Sequence, residues 1–269
     1  MKIKIGDILA VLYFLAYTCI IVFFPLSYGQ DGLSIHFSSN PEVCLGENFK
    51  GVVDHFPYIS GFLKVGLLAT FGEMLKVRGK TGSWKTPGLF LKFLVWGSYG
   101  MLFTIAFALF GKGIGALMNP VPADAFKNIS NSLAEGNLDG AMSICNAAAN
   151  TPPSAVWPFH LNGYWPQRIL QGFSTSLWAN LIFCYPMMLS HEYWNTCINR
   201  KRFLGGAEFL EGIDKHLWGS YLLKTIVVFW IPAHTITFSL PSQYQVLMSA
   251  YLSLALGFIL TIKPKKKAE

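Results

Sequence analysis

Residues 75–89 read LKVRGKTGSWKTPGL, a short segment that carries four Lys or Arg residues between two long apolar runs. The run before it covers residues 58–75, and the run after it covers residues 89–118. The hydrocarbon core of a bilayer is about 30 Å thick, so a helix that crosses it needs roughly 20 mostly apolar residues. This pattern is typical of a basic turn between two membrane-spanning helices.

Four more apolar runs have the same character. With the first two they make six candidate spans, which are Ile8–Leu26, Tyr58–Leu75, Leu89–Met118, Gly172–Ser190, Leu217–Leu240 and Tyr244–Ile262. Of the 269 residues, 52% are hydrophobic and 13% are charged, and the mean hydropathy is +0.41. Soluble domains carry about 25% charged residues. The sequence therefore predicts an all-α, polytopic membrane helix bundle with about six transmembrane helices.

The Lys and Arg residues alternate in density along the chain. Residues 1–6, 76–88, 191–216 and 263–269 hold 2, 4, 4 and 4 of them, whereas residues 25–57, 119–169 and 241–243 hold 1, 2 and 0. Short loops rich in Lys and Arg remain in the cytoplasm, so the alternation predicts that both termini lie inside. The net charge of +7 is then explained by attraction of the inner loops to anionic lipid headgroups, and nucleic acid is not needed to account for it.

The spans and loops divide the chain into five parts. These are a first transmembrane helix in residues 1–26, an exoplasmic loop in 27–57, helices two and three with their basic turn in 58–118, an exoplasmic insertion in 119–169, and helices four to six with a basic tail in 170–269. Turn residues in the insertion predict two short helices, Ala123–Glu135 and Gly140–Ala149. The aromatic residues at 157–166 are typical of the membrane interface.

The first apolar run has an alternative interpretation as a secretory signal peptide, because the chain begins Met1-Lys-Ile-Lys. The apolar part of a signal peptide is usually about 7–15 residues long and is followed by a small-residue cleavage site. The run here is longer, and no such site closes it before Pro25. We therefore predict a first membrane helix that is retained.

Two of the five cysteines, Cys44 and Cys145, fall in the two exoplasmic segments, one in each. In an oxidising compartment they are candidates for a disulfide that links the two segments. The alternative is two unrelated thiols, and the sequence leaves both possibilities open. The remaining three cysteines fall in or next to the apolar runs, where small buried side chains are expected.

Polar residues inside the apolar runs are candidate functional groups, because polarity at the bilayer centre is costly and therefore usually has a purpose. The pore-lining or polar intramembrane candidates are Lys64, Asn180, Lys224, His234 and Thr237. Prolines 232 and 241 flank His234 and interrupt backbone hydrogen bonding, which fits either a pore-lining helix or a merely kinked one. Lysines that extend to the membrane surface and polar groups that bond neighbouring helices explain the same residues without a pore.

The last two spans contain a pattern of aromatic, proline and polar residues. Its members are Trp230, Pro232, His234, Thr237, Phe238, Pro241, Leu252 and Ser253. The pattern resembles the C-terminal signature of the Mpv/PMP family, small proteins of the mitochondrial inner membrane and the peroxisome. Residues 61–79 and 170–178 are similar to two upstream helices of that family. The chain departs from the family where His234 and Thr237 replace a glutamine and an asparagine. The resemblance implies a channel of low selectivity for small solutes.

The sequence contains no Gly-x-Ser-x-Gly, P-loop or Gly-x-Gly-x-x-Gly motif, and its histidines form no H-x-x-x-H pair. We therefore expect no enzymatic activity, no cofactor and no metal. Two functions remain open: a channel or permease for small solutes, and a non-catalytic structural or accessory subunit of a membrane complex. The expected partners are the lipid bilayer, a small solute, and a second copy of the chain or another membrane subunit, but no nucleic acid. The host membrane, bacterial inner membrane or organelle, is left open.

Overall fold

The computed structural model describes residues 4–118, 123–149, 164–215 and 217–259. The predicted interfacial stretch at 157–163 and the tail lysines 265–267 lie outside these residues. In chain order the elements are α1 (Ile5–Val22), β1 (Leu26–Gly29), β2 (Gly32–Ile35), a π-helical segment (Val43–Phe49), α2 (Lys50–His55), α3 (Pro57–Thr81), α4 (Leu89–Met118), α5 (Ala123–Ala134), α6 (Leu138–Ala149), α7 (Tyr164–Ala179), a π-helical segment (Asn180–Cys184), α8 (Tyr185–Arg200), α9 (Gly206–Glu211), a π-helical segment (Leu217–Tyr221), α10 (Leu222–Thr225), a π-helical segment (Ile226–Trp230), α11 (Ile231–Ser239) and α12 (Ser242–Ile259). The prediction of a mainly helical chain is confirmed.

The residues fall into two compact units. Unit 1 comprises residues 1–105, 189–212 and 241–269, and unit 2 comprises residues 106–188 and 213–240. The chain passes from one unit to the other inside α4 and inside α8. Each unit is described below by itself.

Four helical segments in the described part of the chain are long and apolar enough to cross a membrane. They are Ile5–Val22, Pro57–Thr81, Leu89–Met118 and Trp218–Ser239. The predicted fourth span, Gly172–Ser190, is helical, but the π-helical segment Asn180–Cys184 interrupts it between α7 and α8, which have 16 residues each. The predicted sixth span, Tyr244–Ile262, is described as far as Ile259, where it belongs to α12, whose two glutamines and three serines lower its hydropathy. Membrane association is therefore supported by four helices.

The segment between α1 and α3 differs from the predicted all-α pattern because it contains a short β-hairpin. The α1 helix ends at Val22 rather than at the predicted Leu26, since Phe24 precedes Pro25 and a residue before proline is disfavoured in helical backbone. Strands β1 and β2 then pair antiparallel, with Ser27 opposite Ser34. Gly32 has φ +87° at the turn, a conformation that favours glycine.

Cys44 lies in this same loop region and is a free, fully buried thiol. Its Sγ donates a hydrogen bond to the carbonyl oxygen of Ser38, at 3.3 Å. The predicted Cys44–Cys145 disulfide is therefore not formed in this structure. The sulfur of Cys44 is instead accommodated as a small buried side chain with one local partner. The side chain of Cys145 lies outside the described residues.

Helices α3 and α4 approach each other closely in unit 1 at two glycines, Gly61 and Gly100. A Cβ atom placed on Gly61 would lie 2.6 Å from the carbonyl oxygen of Gly100. About three turns further along α3, a Cβ atom on Gly72 would lie 3.3 Å from the carbonyl oxygen of Ser253 in α12. Small residues let membrane helices pack backbone against backbone, where dispersion and interhelical contacts hold them together. In unit 1, α3 packs in this way against both α4 and α12.

The first helix is attached to unit 1 at its amino-terminal end by an ion pair. Asp7 accepts hydrogen bonds from Arg78 Nε and Nη2, each at 2.7 Å, and from Trp84 Nε1 at 2.9 Å. The Arg78 side chain is only 4% exposed. Further along α1, Tyr13 and Tyr17 contact aromatic rings of α3 and α12, but only 6% of the whole span is buried and many of its apolar side chains are exposed. We call this Asp7–Arg78–Trp84 contact the N-terminal clamp.

We expect Asp7→Asn to lower the melting temperature of the protein and to increase amide hydrogen exchange in α1. The substitution keeps the size of the side chain, but it leaves the nearly buried Arg78 guanidinium without its carboxylate, and removing one partner of such a pair is strongly destabilising. Asp31→Asn is the matched control, because Asp31 is exposed at the tip of the hairpin. Equal melting temperatures for the two variants would show that the N-terminal clamp contributes nothing to stability.

Unit 2 contains the short helices of the insertion and the α7 and α11 pair. The two short helices predicted in the insertion are present as α5 and α6, which lie against each other. The turn between them uses Gly136 at φ +71°, where a residue with a side chain would be strained. The α7 and α11 helices pack along most of the length of α11, and their interface contains the polar residues considered next.

Candidate polar site between helices α7 and α11

Four residues of α7 and the start of the following π-helical segment form a stripe along one side of the helix. Arg168, Gly172, Ser176 and Asn180 recur every four residues, so they share one face. All four face α11, as the contacts below show. We call this interface the α7–α11 seam.

Each member of the seam contributes a different contact. Arg168 donates from Nε to the carbonyl oxygen of Ser239 at 2.9 Å and from Nη2 to that of Leu240 at 3.1 Å. These carbonyls lie at the end of α11, where a cation is favoured by the helix dipole and can donate to the last carbonyl oxygens. A Cβ atom on Gly172 would lie 2.8 Å from the carbonyl oxygen of Thr235, so glycine permits the close approach of the two backbones.

Ser176 links the two helices at the middle of the seam. Its hydroxyl is fully buried and donates to the carbonyl oxygen of Ile231 at 2.7 Å. That carbonyl also accepts a hydrogen bond from the Thr235 hydroxyl at 2.7 Å. Inside a membrane such a carbonyl cannot bond to bulk water, so the two hydroxyls satisfy it from within the protein.

Both helices of the seam depart from regular α-helical geometry where Asn180 and His234 meet. The π-helical segment Asn180–Cys184 begins at Asn180, and another, Ile226–Trp230, ends just before Pro232. Proline has no N–H group, so it cannot continue the hydrogen-bond ladder of the preceding turn. Single π-helical turns inside α-helices are frequent at functional sites.

Asn180 and His234, two of the predicted polar intramembrane residues, contact each other directly in unit 2. Asn180 Nδ2 lies 2.8 Å from the carbonyl oxygen of Ser176 and 3.1 Å from Nδ1 of His234. Because the carbonyl oxygen can only accept, Nδ2 must be the amide donor, and Nδ1 of His234 is then the acceptor. The proton of the neutral imidazole therefore sits on Nε2.

The side-chain oxygen of Asn180, Oδ1, has no hydrogen-bond partner among the described residues. Asn180 is only 1% exposed, and its Oδ1 accepts no hydrogen bond from any residue in the described part of the chain. Leaving a buried acceptor unsatisfied costs about 1–3 kcal/mol. An oxygen of this kind is suited to accept a hydrogen bond from a bound molecule.

Three aromatic rings surround His234. Trp230 lies with its ring centroid 5.2 Å from that of His234, Phe238 at 6.1 Å and Phe107 at 6.2 Å. Trp230, His234 and Phe238 follow one another at four-residue intervals, so the aromatic residues of the family-like pattern share a face of the helix. Pro232 is exposed at the first turn of α11, and Pro241, also exposed, precedes α12 in unit 1.

The other predicted residues do not take part in the Asn180–His234 contact. Thr237 is fully buried, and its hydroxyl donates to the carbonyl oxygen of Ala233 in its own helix at 3.1 Å. Lys224 is exposed on α10, ten residues and about 15 Å along the axis from His234. Lys64 belongs to unit 1, where it is 5% exposed and its Nζ lies 5.1 Å from the centroid of the Phe49 ring.

No protein-family model matches this chain, and it matches none of the curated proteins or solved structures with which it was compared. The resemblance to the Mpv/PMP family therefore stays a prediction from the sequence pattern alone.

A cluster of ionisable side chains lies in unit 1, and the sequence analysis did not predict it. Its members are Glu73, Lys76, Lys92, His191 and Glu192. Burial lowers the pKa of His191 to about 4 and raises that of Glu192, both just beyond the fourth apolar run. Burial of the imidazole thus favours its neutral form. Two glutamates and two lysines lie close together beside it, which is typical of a structural charge network.

These groups do not make a metal centre. In the part of the chain that the structure describes, there is no group of three or more His, Cys, Asp or Glu side chains placed to hold a metal ion.

The residues that sequence reasoning missed at the α7–α11 seam are Arg168 and Gly172. Their four-residue spacing from Ser176 and Asn180 could have predicted a helix-packing face, because small residues at four-residue intervals are common where membrane helices pack.

Proposed function

We propose that the protein is a channel or permease for small uncharged polar solutes, and that solute binds at Asn180 and His234. In this proposal the chain is multi-pass with six spans, both termini are cytoplasmic, and the chain is a remote relative of the Mpv/PMP family. The four apolar helices support membrane insertion, and the alternation of basic loops supports the orientation.

The observation that carries the proposal is the buried Asn180 Oδ1, which accepts no hydrogen bond from any described residue. An unsatisfied acceptor complements the donor of a hydroxyl or an amide. Single π-helical turns such as the one that begins at Asn180 are frequent at functional sites. The aromatic rings of Phe107, Trp230 and Phe238 provide the apolar walls that small-molecule sites usually have.

The surroundings of the site favour an uncharged solute over an ion. The described contacts of Asn180 and His234 are made by Ser176 and the three aromatic residues, none of which is charged. Moving an ion into such surroundings costs far more than moving a hydroxyl or an amide, because the lost hydration is not replaced by opposite charge. We therefore expect polyols and amides to pass and K⁺ and Cl⁻ to be excluded.

Purified protein in liposomes tests this directly. After a hyperosmotic step with glycerol or urea, light scattering should recover faster for proteoliposomes than for protein-free liposomes of the same lipid. The conductance of K⁺ and Cl⁻ across planar bilayers should stay at the level of the lipid alone. Equal recovery with and without protein, for every small polar solute tried, would contradict the proposal.

The second candidate function is a non-catalytic accessory subunit, and the exposed apolar surface of α1 is the observation that favours it. A helix in which 6% of the span is buried presents a long face that a helix of another membrane subunit can cover. Copurification from mild detergent with a defined partner, together with absence of solute flux, would support this role. A single monodisperse species with measurable flux would exclude it.

A further inference from the structure

A groove in unit 1 runs beside the N-terminal clamp, between α1, α3 and the beginning of α4. Its volume is about 590 Å³, within the usual range of roughly 300–1,000 Å³ for ligand sites. Its walls are almost entirely apolar and include Leu9, Tyr13 and Phe93, and Trp84 lies at one end. From Gly6 to Tyr13 the α1 wall extends about 10 Å along the helix axis.

One polar group faces this groove from α3. Thr70 is 7% exposed, and its hydroxyl forms no hydrogen bond with any of the described residues. A threonine in a helix ordinarily satisfies its hydroxyl with a carbonyl of the preceding turn, as Thr237 does in α11. The free hydroxyl of Thr70 is therefore available to a bound molecule, for example to an ester carbonyl.

Two exposed lysines lie close in the chain to the residues at the Trp84 end of the groove. Lys4 comes two residues before Gly6, and its Nζ donates to the carbonyl oxygen of Gly82 at 2.8 Å, while Lys85 directly follows Trp84. The carboxylate of Asp7 is already paired with Arg78 and Trp84. Neither lysine belongs to an ion pair with a carboxylate among the described residues.

We propose that this groove binds one anionic phospholipid, with an acyl chain along α1 and α3 and the headgroup phosphate at Lys4 and Lys85. Basic pockets between membrane helices on the cytoplasmic side recognise anionic headgroups in this way. A phospholipid is the occupant that fits, because the groove opens on the exposed apolar flank of α1, where lipid chains are the surrounding solvent. The proposal does not depend on the solute site of unit 2.

The test is native mass spectrometry of the full-length protein with phosphatidylglycerol and phosphatidylcholine that carry the same acyl chains. We expect one tightly bound phosphatidylglycerol and weaker binding of phosphatidylcholine. A lysine near a membrane surface contributes about 1 kcal/mol of attraction, so Lys4→Gln with Lys85→Gln should weaken phosphatidylglycerol binding roughly 25-fold. The control pair Lys127→Gln with Lys215→Gln removes the same charge from exposed positions elsewhere and should not change it.

A second pair of variants tests the groove itself. Ala10→Trp places a large ring in the groove and should reduce binding of both lipids, whereas Ala16→Trp adds the same ring to an exposed position of α1 outside the groove. Equal lipid binding by these two variants would overturn the proposal. Equal affinity of the wild-type protein for the two lipids would overturn it as well, because the headgroup would then not be recognised.

Discussion

Gly100→Ala is expected to destabilise the protein by about 1–3 kcal/mol, the usual cost of overpacking a tight interface. The added Cβ would overlap the carbonyl oxygen of Gly61, and it would lie 2.7 Å from the carbonyl carbon of Gly61 and 2.9 Å from Cβ of Val65. Two of these contacts are with backbone, which cannot rotate away as a side chain can. The two helices must separate, and the contacts between α3 and α4 along the rest of unit 1 are weakened with them.

The control lies in the same helix. Nothing lies within 4 Å of a Cβ atom added to Gly111 or Gly113. There alanine only improves helix propensity, by up to about 1 kcal/mol. We therefore expect Gly111→Ala to raise the unfolding midpoint in detergent micelles and Gly100→Ala to lower it, as measured by circular dichroism. Shifts of the same sign would mean that the close approach of α3 and α4 does not limit stability.

Asn180→Leu is expected to reduce solute flux about tenfold, with little change in the unfolding midpoint. Leucine is close to asparagine in size, but it removes both the acceptor Oδ1 and the donor that holds His234. A hydrogen bond of about 1.5 kcal/mol to a bound solute corresponds to roughly a tenfold change in occupancy. The stability change is small because the lost hydrogen bonds are partly offset by removal of an unsatisfied buried oxygen.

Lys224→Ala is the matched control for this experiment. Lys224 lies in the same unit and near the same helix, but it is exposed and does not contact the site. Solute flux should be the same in this variant as in the wild-type protein. Flux through Asn180→Leu should be lower than through Lys224→Ala when both are measured at the same protein-to-lipid ratio. If the two variants conduct equally, Asn180 does not line the path of the solute.

The sequence was informative where a pattern repeats along one helix. Asn180 and His234 were both predicted as polar intramembrane candidates, and the structure places them 3.1 Å apart. Lys224 and Thr237 were predicted by the same criterion, because each is a polar residue in an apolar run. The sequence does not show whether such a side chain faces a neighbouring helix, its own backbone or the outside. The direction of each side chain decides this, and it is hard to calculate from residue spacing in an irregular helix with two π-helical segments.

Contacts between distant parts of the chain could not be predicted in this way. Asp7 and Arg78 are 71 residues apart, and each has the character of an ordinary charged residue at the end of a span. Gly61 and Gly100 allow α3 and α4 to approach closely only because they face each other. The disulfide between Cys44 and Cys145 was one of two open possibilities, based on predicted location on one side of the membrane, and such a location does not require proximity.

The N-terminal clamp also imposes an order on biosynthesis. Translation adds about 5–20 residues per second, so Arg78 is made roughly 4–14 seconds after Asp7. During that interval α1 leaves the ribosome with a charged carboxylate that has no guanidinium to neutralise it. In the proposed membrane topology, the direction in which α1 inserts is therefore decided before the clamp can form. The clamp then retains the first helix only after insertion.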